Sequence, residues 1–343
     1  MRIEPQISGM GRRGVLLPVV IFCTLFAGTA LFNISSGSPE IPLQELGGII
    51  FQRTGSDLQR TVIWEMRIPR VLLGLLAGMM LGAAGALMQA VMNNRLAGPE
   101  LLGVSSGASL AMAAVTVLHL PVAVLMHPAV ALFGGLSGGL CVVLSARGSR
   151  GAAGMLLIGM SVSAVLNGLL IVLIALATSN DVNLLYTYLL GSLANRSWDH
   201  ILPMLPWTFI ILPVAFAFTR TLNMLQLGDE AAAGLGVKVL RVRILVLGVC
   251  TGLVAITVAQ CGPIGYIALI APHIIRTLLG IVDIRRMLPL AVLAGGVLLV
   301  MADTVARLLF YPMEIPVGVW TTLLGGSVFL LLFLKRQGGG SND

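Results

Sequence analysis

Residues 67–89 read RIPRVLLGLLAGMMLGAAGALMQ. Arg67 and Arg70 open the stretch, no charge follows them, and Gly74, Gly78 and Gly82 fall four apart with Gly85 close behind. An uncharged apolar run of this length crosses the hydrocarbon of a bilayer as a helix. Small residues spaced by four form a ridge against which a second helix backbone can close in lipid. A second cluster, Gly134, Gly135, Gly138 and Gly139, predicts another such crossing. Taken one at a time, each glycine speaks only for tight packing.

The rest of the chain extends this reading. Of 343 residues 57% are hydrophobic and 10% charged, whereas soluble domains carry about a quarter charged residues. The pattern predicts an all-α polytopic membrane protein, a single domain over 1–343, with ten spans near 15–34, 68–92, 100–118, 121–146, 152–177, 201–220, 243–261, 264–280, 287–309 and 315–334. An even number puts both termini on one face. With that face cytoplasmic, fifteen of the 21 basic residues lie inside, as the positive-inside rule requires. The net charge of +7 is then a topology signal, and no nucleic-acid partner is implied. Arg12 and Arg13 before an apolar core also resemble a secretory signal, but removing residues 1–32 would leave an odd count against the charge pattern.

Outside the spans, residues 33–66 form the largest external loop, with a short interfacial helix expected at Leu43 to Phe51, and a second external loop runs from Thr178 to His200. Span two ends with Gln89 before Gly98-Pro99, and span seven with Gln260 before Gly262-Pro263. By span count the first junction is cytoplasmic and the second external. Equivalent pieces on opposite faces predict an inverted repeat of two five-helix halves.

Between two apolar runs lies a polar island, QLGDEAAAGLGVKVLRVR at 226–243. Asp229 and Glu230 suit a helix start, Ala231 to Ala233 favour helix, Gly234 and Gly236 break it, and Lys238, Arg241 and Arg243 close with positive charge. The order predicts a water-exposed helix pair, within 226–241, that touches another protein. On the other face, Arg67 and Arg70 stand at the mouth of span two, and Arg307 lies four residues after Asp303, spaced for an ion pair. They read either as interfacial anchors or as a basic rim for an acidic partner.

Several chemistries are missing from the sequence. Lys238 is followed by Val239 and Lys335 by Arg336, so neither lysine sits in a phosphate loop, and the protein reads as a non-enzyme. The four cysteines fall within spans without CxxC spacing, and no metal site is expected. His119, His127 and His200 read as interfacial rather than as ligands to a haem-like group. His273 after Pro272 is expected to serve carbonyls that the proline frees.

The blocks RIPRVLLGLLAGMMLGAAGALMQ, LLGVSSGAS (101–109), LGDEAAAGLGV (227–237), GPIGYIALIAPHIIR (262–276) and PMEIPVGVWTTLLGG (312–326) together resemble the iron-siderophore and vitamin B12 permease family, the FecCD type of binding-protein-dependent ABC importers. The resemblance runs in order through nearly the whole chain. It implies a dimerising subunit of the bacterial inner membrane, either a homodimer or paired with a paralogue. It also implies a periplasmic or lipid-anchored binding protein, and two copies of a separate ATPase that use ATP and magnesium, with no cofactor on this chain. The residues matching the family's ATPase contact are Gly228, Asp229, Glu230, Ala231, Ala232, Leu235, Gly236 and Val237. Arg67, Arg70 and Arg307 match arginines that meet glutamates of the binding protein. The implied passage runs between two subunits along the fifth and tenth spans, with a cytoplasmic gate at Ala152 and Ala153. The chain departs from the family at NNRLAGP (93–99), where Arg95 replaces a proline and Gly98 an acid, and again at Ser327.

The expected function is therefore ferric-siderophore translocation. A cobalamin or haem cargo is the alternative within the family. An ion-coupled secondary transporter would need intramembrane acids, for which Asp303 is the candidate, and a scaffold protein is the remaining option.

Overall fold

The computed structural model of the chain describes residues 13–37, 39–52, 54–145, 151–311 and 313–338, with backbone alone at 13–15, 124, 151, 187 and 328–338. Among these residues every regular element is helical. The order is α1 (Arg13–Ser35), α2 (Leu43–Phe51), α3 (Asp57–Thr61), a π-helical turn (Val62–Arg67), α4 (Ile68–Val91), α5 (Val104–Val117), α6 (His127–Ser145), α7 (Gly151–Leu176), α8 (Ser179–Leu189), α9 (Trp198–Ile201), α10 (Met204–Ala217), α11 (Thr219–Leu225), α12 (Asp229–Gly234), α13 (Val239–Cys261), α14 (Ile267–Leu279), α15 (Ile284–Leu308) and α16 (Val317–Gly338). Each expected span falls on a helix, and among the described residues seven helices are long and apolar enough to cross a membrane. The short interfacial helix lies where expected, at α2, with Leu46 and Ile49 buried and Phe51 exposed. Of the basic residues expected to set orientation, Arg2, Arg12, Arg147 and Arg150 lie outside the described residues, as do the side chains of Arg13, Lys335 and Arg336.

Two of the expected spans are shorter than predicted. α5 has 14 residues and α14 has 13, about 20 Å of helix each against the roughly 30 Å of hydrocarbon. Residues 99–102 form a 3-10 turn instead of the first turn of α5, and Gly103 then takes a left-handed conformation at φ 68°. Each short helix follows a long one across a Gly-Pro step: α4 (24 residues) then α5, α13 (23 residues) then α14.

The packing repeats as well. α4 lies against α15 and α14, α13 lies against α6 and α5, and the two long helices pack on each other. Corresponding helices thus make corresponding contacts in the two halves. The junctions differ from expectation in one respect: Pro99 and Pro263 line the same cavity instead of lying at opposite faces. Because α5 and α14 are too short to span, their starts are drawn into the bundle.

Glycine determines how closely these helices cross. A Cβ at Gly78 would overlap the carbonyl of Gly295, and one at Gly82 the carbonyl of Ala291, so α4 and α15 touch backbone to backbone. Gly107 on α5 and Gly134 on α6 stand in the same relation. With no hydrophobic drive between helices in lipid, such close dispersion contact is what holds the bundle. α7 packs on α5 and α6 along one side only, with Gly159 against the carbonyl of Leu101, and 6% of its apolar stretch is buried against 78% for the stretch that contains α4.

Candidate functional site

At the rim, Arg67 is 4% exposed and Arg307 7%. Arg67 donates from Nη1 to the carbonyls of Ile34 (2.6 Å) and Ser35 (3.3 Å) and from Nη2 to that of Pro39 (2.7 Å). Arg307 donates from Nη2 to the carbonyls of Asn33 (2.6 Å) and Ser36 (3.2 Å). Together they satisfy carbonyls at the C-terminal end of α1, which a helix leaves without partners and where its dipole favours positive charge. Gly37, at φ 106°, lets this segment fold against both guanidiniums.

The expected Asp303–Arg307 pair does not form. Asp303 is held instead by Arg70, whose Nε and Nη2 donate to its two oxygens at 2.8 and 2.9 Å, while Nη1 reaches Glu314 at 2.9 Å. A fork across α4 and α15 gives a bidentate geometry that an i,i+4 neighbour on one helix cannot match, and Arg307 is already drawn to α1. Glu314 was not anticipated as a partner; its only signal is an acid in the short external segment before α16. Asp303 is thus paired within the chain, with Arg70 in place of Arg307.

Removing one member of a buried pair leaves the others desolvated and unpaired, at about 3–5 kcal/mol. Arg70→Ala is therefore expected to lower the thermal midpoint of the purified subunit sharply, whereas Arg70→Met combined with Asp303→Asn and Glu314→Gln should recover most of the loss. Equal midpoints for Arg70→Ala and the natural sequence would show that the fork contributes nothing.

The three arginines line one cavity of about 750 Å³ together with Glu65, Arg196 and Tyr311. Among the described residues neither Arg67 nor Arg307 has a carboxylate partner, and Nε of Arg307 has no hydrogen-bond partner. The cavity therefore carries uncompensated positive charge. Two other turns are locally capped. Thr178, through its hydroxyl and its amide, holds the Asp181 carboxyl below its ordinary value. His119 lies 3.9 Å from Asp181, and His200 accepts from the amide of Ser197 at the start of α9. Among the described residues no cluster of three potential metal ligands forms. His273 faces the hydroxyl of Thr277 (3.3 Å) instead of a freed carbonyl.

In the polar island, α12 begins at Asp229 as expected, after Gly228 at φ 104°. Only this one helix lies wholly within 226–241, since α13 already starts at Val239. Its companion is α11, before the island. Asp229 accepts from Nη1 and Nη2 of Arg243, both at 2.8 Å, and Nε of Arg243 donates to the last carbonyl of α4, Val91, at 3.3 Å. This anchor was not legible beforehand, because the two residues are brought together only by the turn between α12 and α13. Ala232 is buried, while Glu230, Ala231, Ala233, Gly234, Leu235 and Gly236 are exposed. The result is a small apolar knob on a rigid footing. Ala152 is half-buried and Ala153 exposed in the first turn of α7. Met155, one turn on, lines a cleft of about 350 Å³ with Asp229, Glu230, Ala233 and Arg243, which brings the gate candidates close to the knob.

Several known proteins resemble the chain in sequence or fold. The model of the FecCD transport family matches residues 23–335. The Fe(3+) dicitrate transport system permease protein FecD of Escherichia coli (strain K12) is 36% identical over 322 residues, covering 94% of this chain and 99% of that protein. The hemin transport system permease protein HmuU of Yersinia pestis is 37% identical over 284 residues, 80% of this chain and 84% of its own length. Among solved structures, an inward-facing metal-chelate type ABC transporter superposes with a TM-score of 0.83 at 27% identity, covering 92% of this chain and 98% of the other.

Proposed function

We propose a specific role from one premise: the chain belongs to the FecCD transport family. It is a multi-pass permease subunit of an ABC importer for iron chelates. Its cargo we read as a ferric siderophore, carried across the bacterial inner membrane with both termini cytoplasmic. Two copies of a separate ATPase drive it, and a second permease chain completes the passage. The observation that supports the ATPase contact is the anchored knob at α12, rigid on its inner side through Asp229 and Arg243 and apolar and bare on its outer side. The bare outer side of α7 suits a wall shared with the second permease chain. A haem cargo is the second reading, favoured by the identity to the hemin permease.

The test is uptake in proteoliposomes that hold the permease with its co-purified ATPase. Iron-55 should enter as a chelate only when ATP and binding protein are supplied. Uptake driven by a proton or sodium gradient without ATP would sink the reading.

The basic cavity at the rim supplies the docking side of the proposal, with Arg67 and Arg307 as charges that lack acidic partners of their own. Both guanidiniums are buried, so an acidic group docked on them would be worth more than the about 0.2–1 kcal/mol of an exposed pair, and would act on encounter rate and orientation as well. Reversing both, Arg67→Glu with Arg307→Glu, is expected to weaken binding-protein affinity at least tenfold, and more at low salt than at high salt. ATPase co-purification should persist. Unchanged affinity in nanodiscs at low ionic strength would return these residues to their one visible duty, holding the end of α1.

A further inference from the structure

The α4 and α13 helices run antiparallel. Arg243, near the start of α13, bonds to Val91 at the end of α4; Cys250 Sγ reaches the carbonyl of Ala84 (3.6 Å); and Cys261, at the far end of α13, accepts from Ser192, whose neighbour Leu193 packs on Gly74 near the beginning of α4. The chain therefore leaves α4 and α13 at opposite faces of the membrane, yet both Gly-Pro steps that follow reach one cavity of about 430 Å³. That cavity also touches Leu81, close to the midpoint of α4, and Val254 and Val258 on α13. It runs from the Cys261 end of α13 to mid-depth, where Glu100 and Ser105 line it beside Leu81, and its other wall is the first part of α16, including Gly318 and Thr322.

Glu100 lines this cavity and is exposed. Its carboxylate occupies the space where a side chain on residue 98 would begin, which glycine leaves free. The remaining polar lining is slight: Ser105, and Thr322, whose hydroxyl is already given to the carbonyl of Gly318 at 2.7 Å. A carboxylate at this depth cannot face lipid, and such groups border water-filled cavities or pathways. We propose that Glu100 stands on the wall of the aqueous passage and sets its charge preference, disfavouring anionic ferric chelates relative to neutral ones. The inference rests on the transport reading above and assigns a specificity-determining residue within it.

Two measurements on the permease–ATPase complex in nanodiscs or proteoliposomes test it. In a background with Cys23→Ser and Cys141→Ser, Glu100→Cys should react with water-soluble charged methanethiosulfonates, read by mass spectrometry, while Phe133→Cys on the outer face of α6 should not. Glu100→Gln should raise uptake of an anionic ferric chelate relative to a neutral one by about fivefold, the size of one charge contact across water. Gly98→Ala, which displaces the carboxylate, should move the ratio in the same direction. An unreactive cysteine at position 100, or an unchanged uptake ratio in a complex that still imports, overturns the proposal. Should the natural complex import no chelate at all, the transport reading fails, and the labelling still decides whether position 100 meets water.

Discussion

Gly85→Ala is expected to lower the thermal midpoint of the subunit sharply, although it adds a single methyl group. A Cβ at this position would fall on the carbonyl of Ala268 in α14. Pro272, four residues on, has no amide hydrogen to offer this carbonyl, so it stands outside the hydrogen-bond ladder of α14. The contact is between backbones, so no side chain can swing away to relieve it. Gln89, one turn further along α4, donates to the next carbonyl, that of Leu269, at 3.2 Å and accepts from Arg276, which locks the crossing. Inserting a methyl into such a site costs about 3 kcal/mol or more. The same change at Gly248 on α13, where no atom lies within 4 Å of the new methyl, should instead stabilise by up to about 1 kcal/mol through helix propensity. Opposite signs of the shift in thermal midpoint for Gly85→Ala and Gly248→Ala would confirm that close backbone approach, and not glycine content, holds α4 against α14. A mild effect at Gly85 comparable to that at Gly248 would contradict it.

What was legible in the sequence was what depends on neighbours along the chain. The ridge Gly74, Gly78, Gly82 announces a close crossing by its spacing, and α15 supplies the partner with Gly295. The pattern at Leu43–Phe51 and the acids at Asp229 and Glu230 mark where α2 and α12 form, because amphipathicity and the preference of acids for a helix start are local effects. Partnerships across the fold were not legible. Asp303 has Arg307 four residues away and still pairs with Arg70, 233 positions distant, since a bidentate fork between helices outcompetes a single-helix contact. The depth of Glu100 was hidden for a similar reason. Hydropathy places the segment after α4 near an interface, and only the shortness of α5 together with the antiparallel α13 draws it to the middle of the bundle. The repeat was visible in two Gly-Pro steps, and the packing shows what they do: each begins a short helix inside the bundle.

The knob at α12 offers the sharpest separation of folding from coupling. Gly234 is exposed, and nothing in the subunit lies within 4 Å of a Cβ placed there. Gly234→Trp therefore has room within this chain, and as a surface change it should alter subunit stability by no more than about 0.5 kcal/mol. If Gly228 to Val237 seats in a groove of the ATPase, the indole ring has no room in the complex. Uptake should fall to less than about a tenth of its natural level, because a bulky group in a packed interface core disrupts the complementarity on which binding rests. Gly234→Ala should import normally. Asp229→Ala is the complementary variant: it keeps the outer surface of the knob but removes the partner of Arg243, so it should lower the thermal midpoint as well as uptake. The pattern to look for is loss of uptake with unchanged stability for Gly234→Trp, and loss of both for Asp229→Ala. Natural uptake and natural ATPase co-purification in Gly234→Trp would place the ATPase contact elsewhere on the subunit.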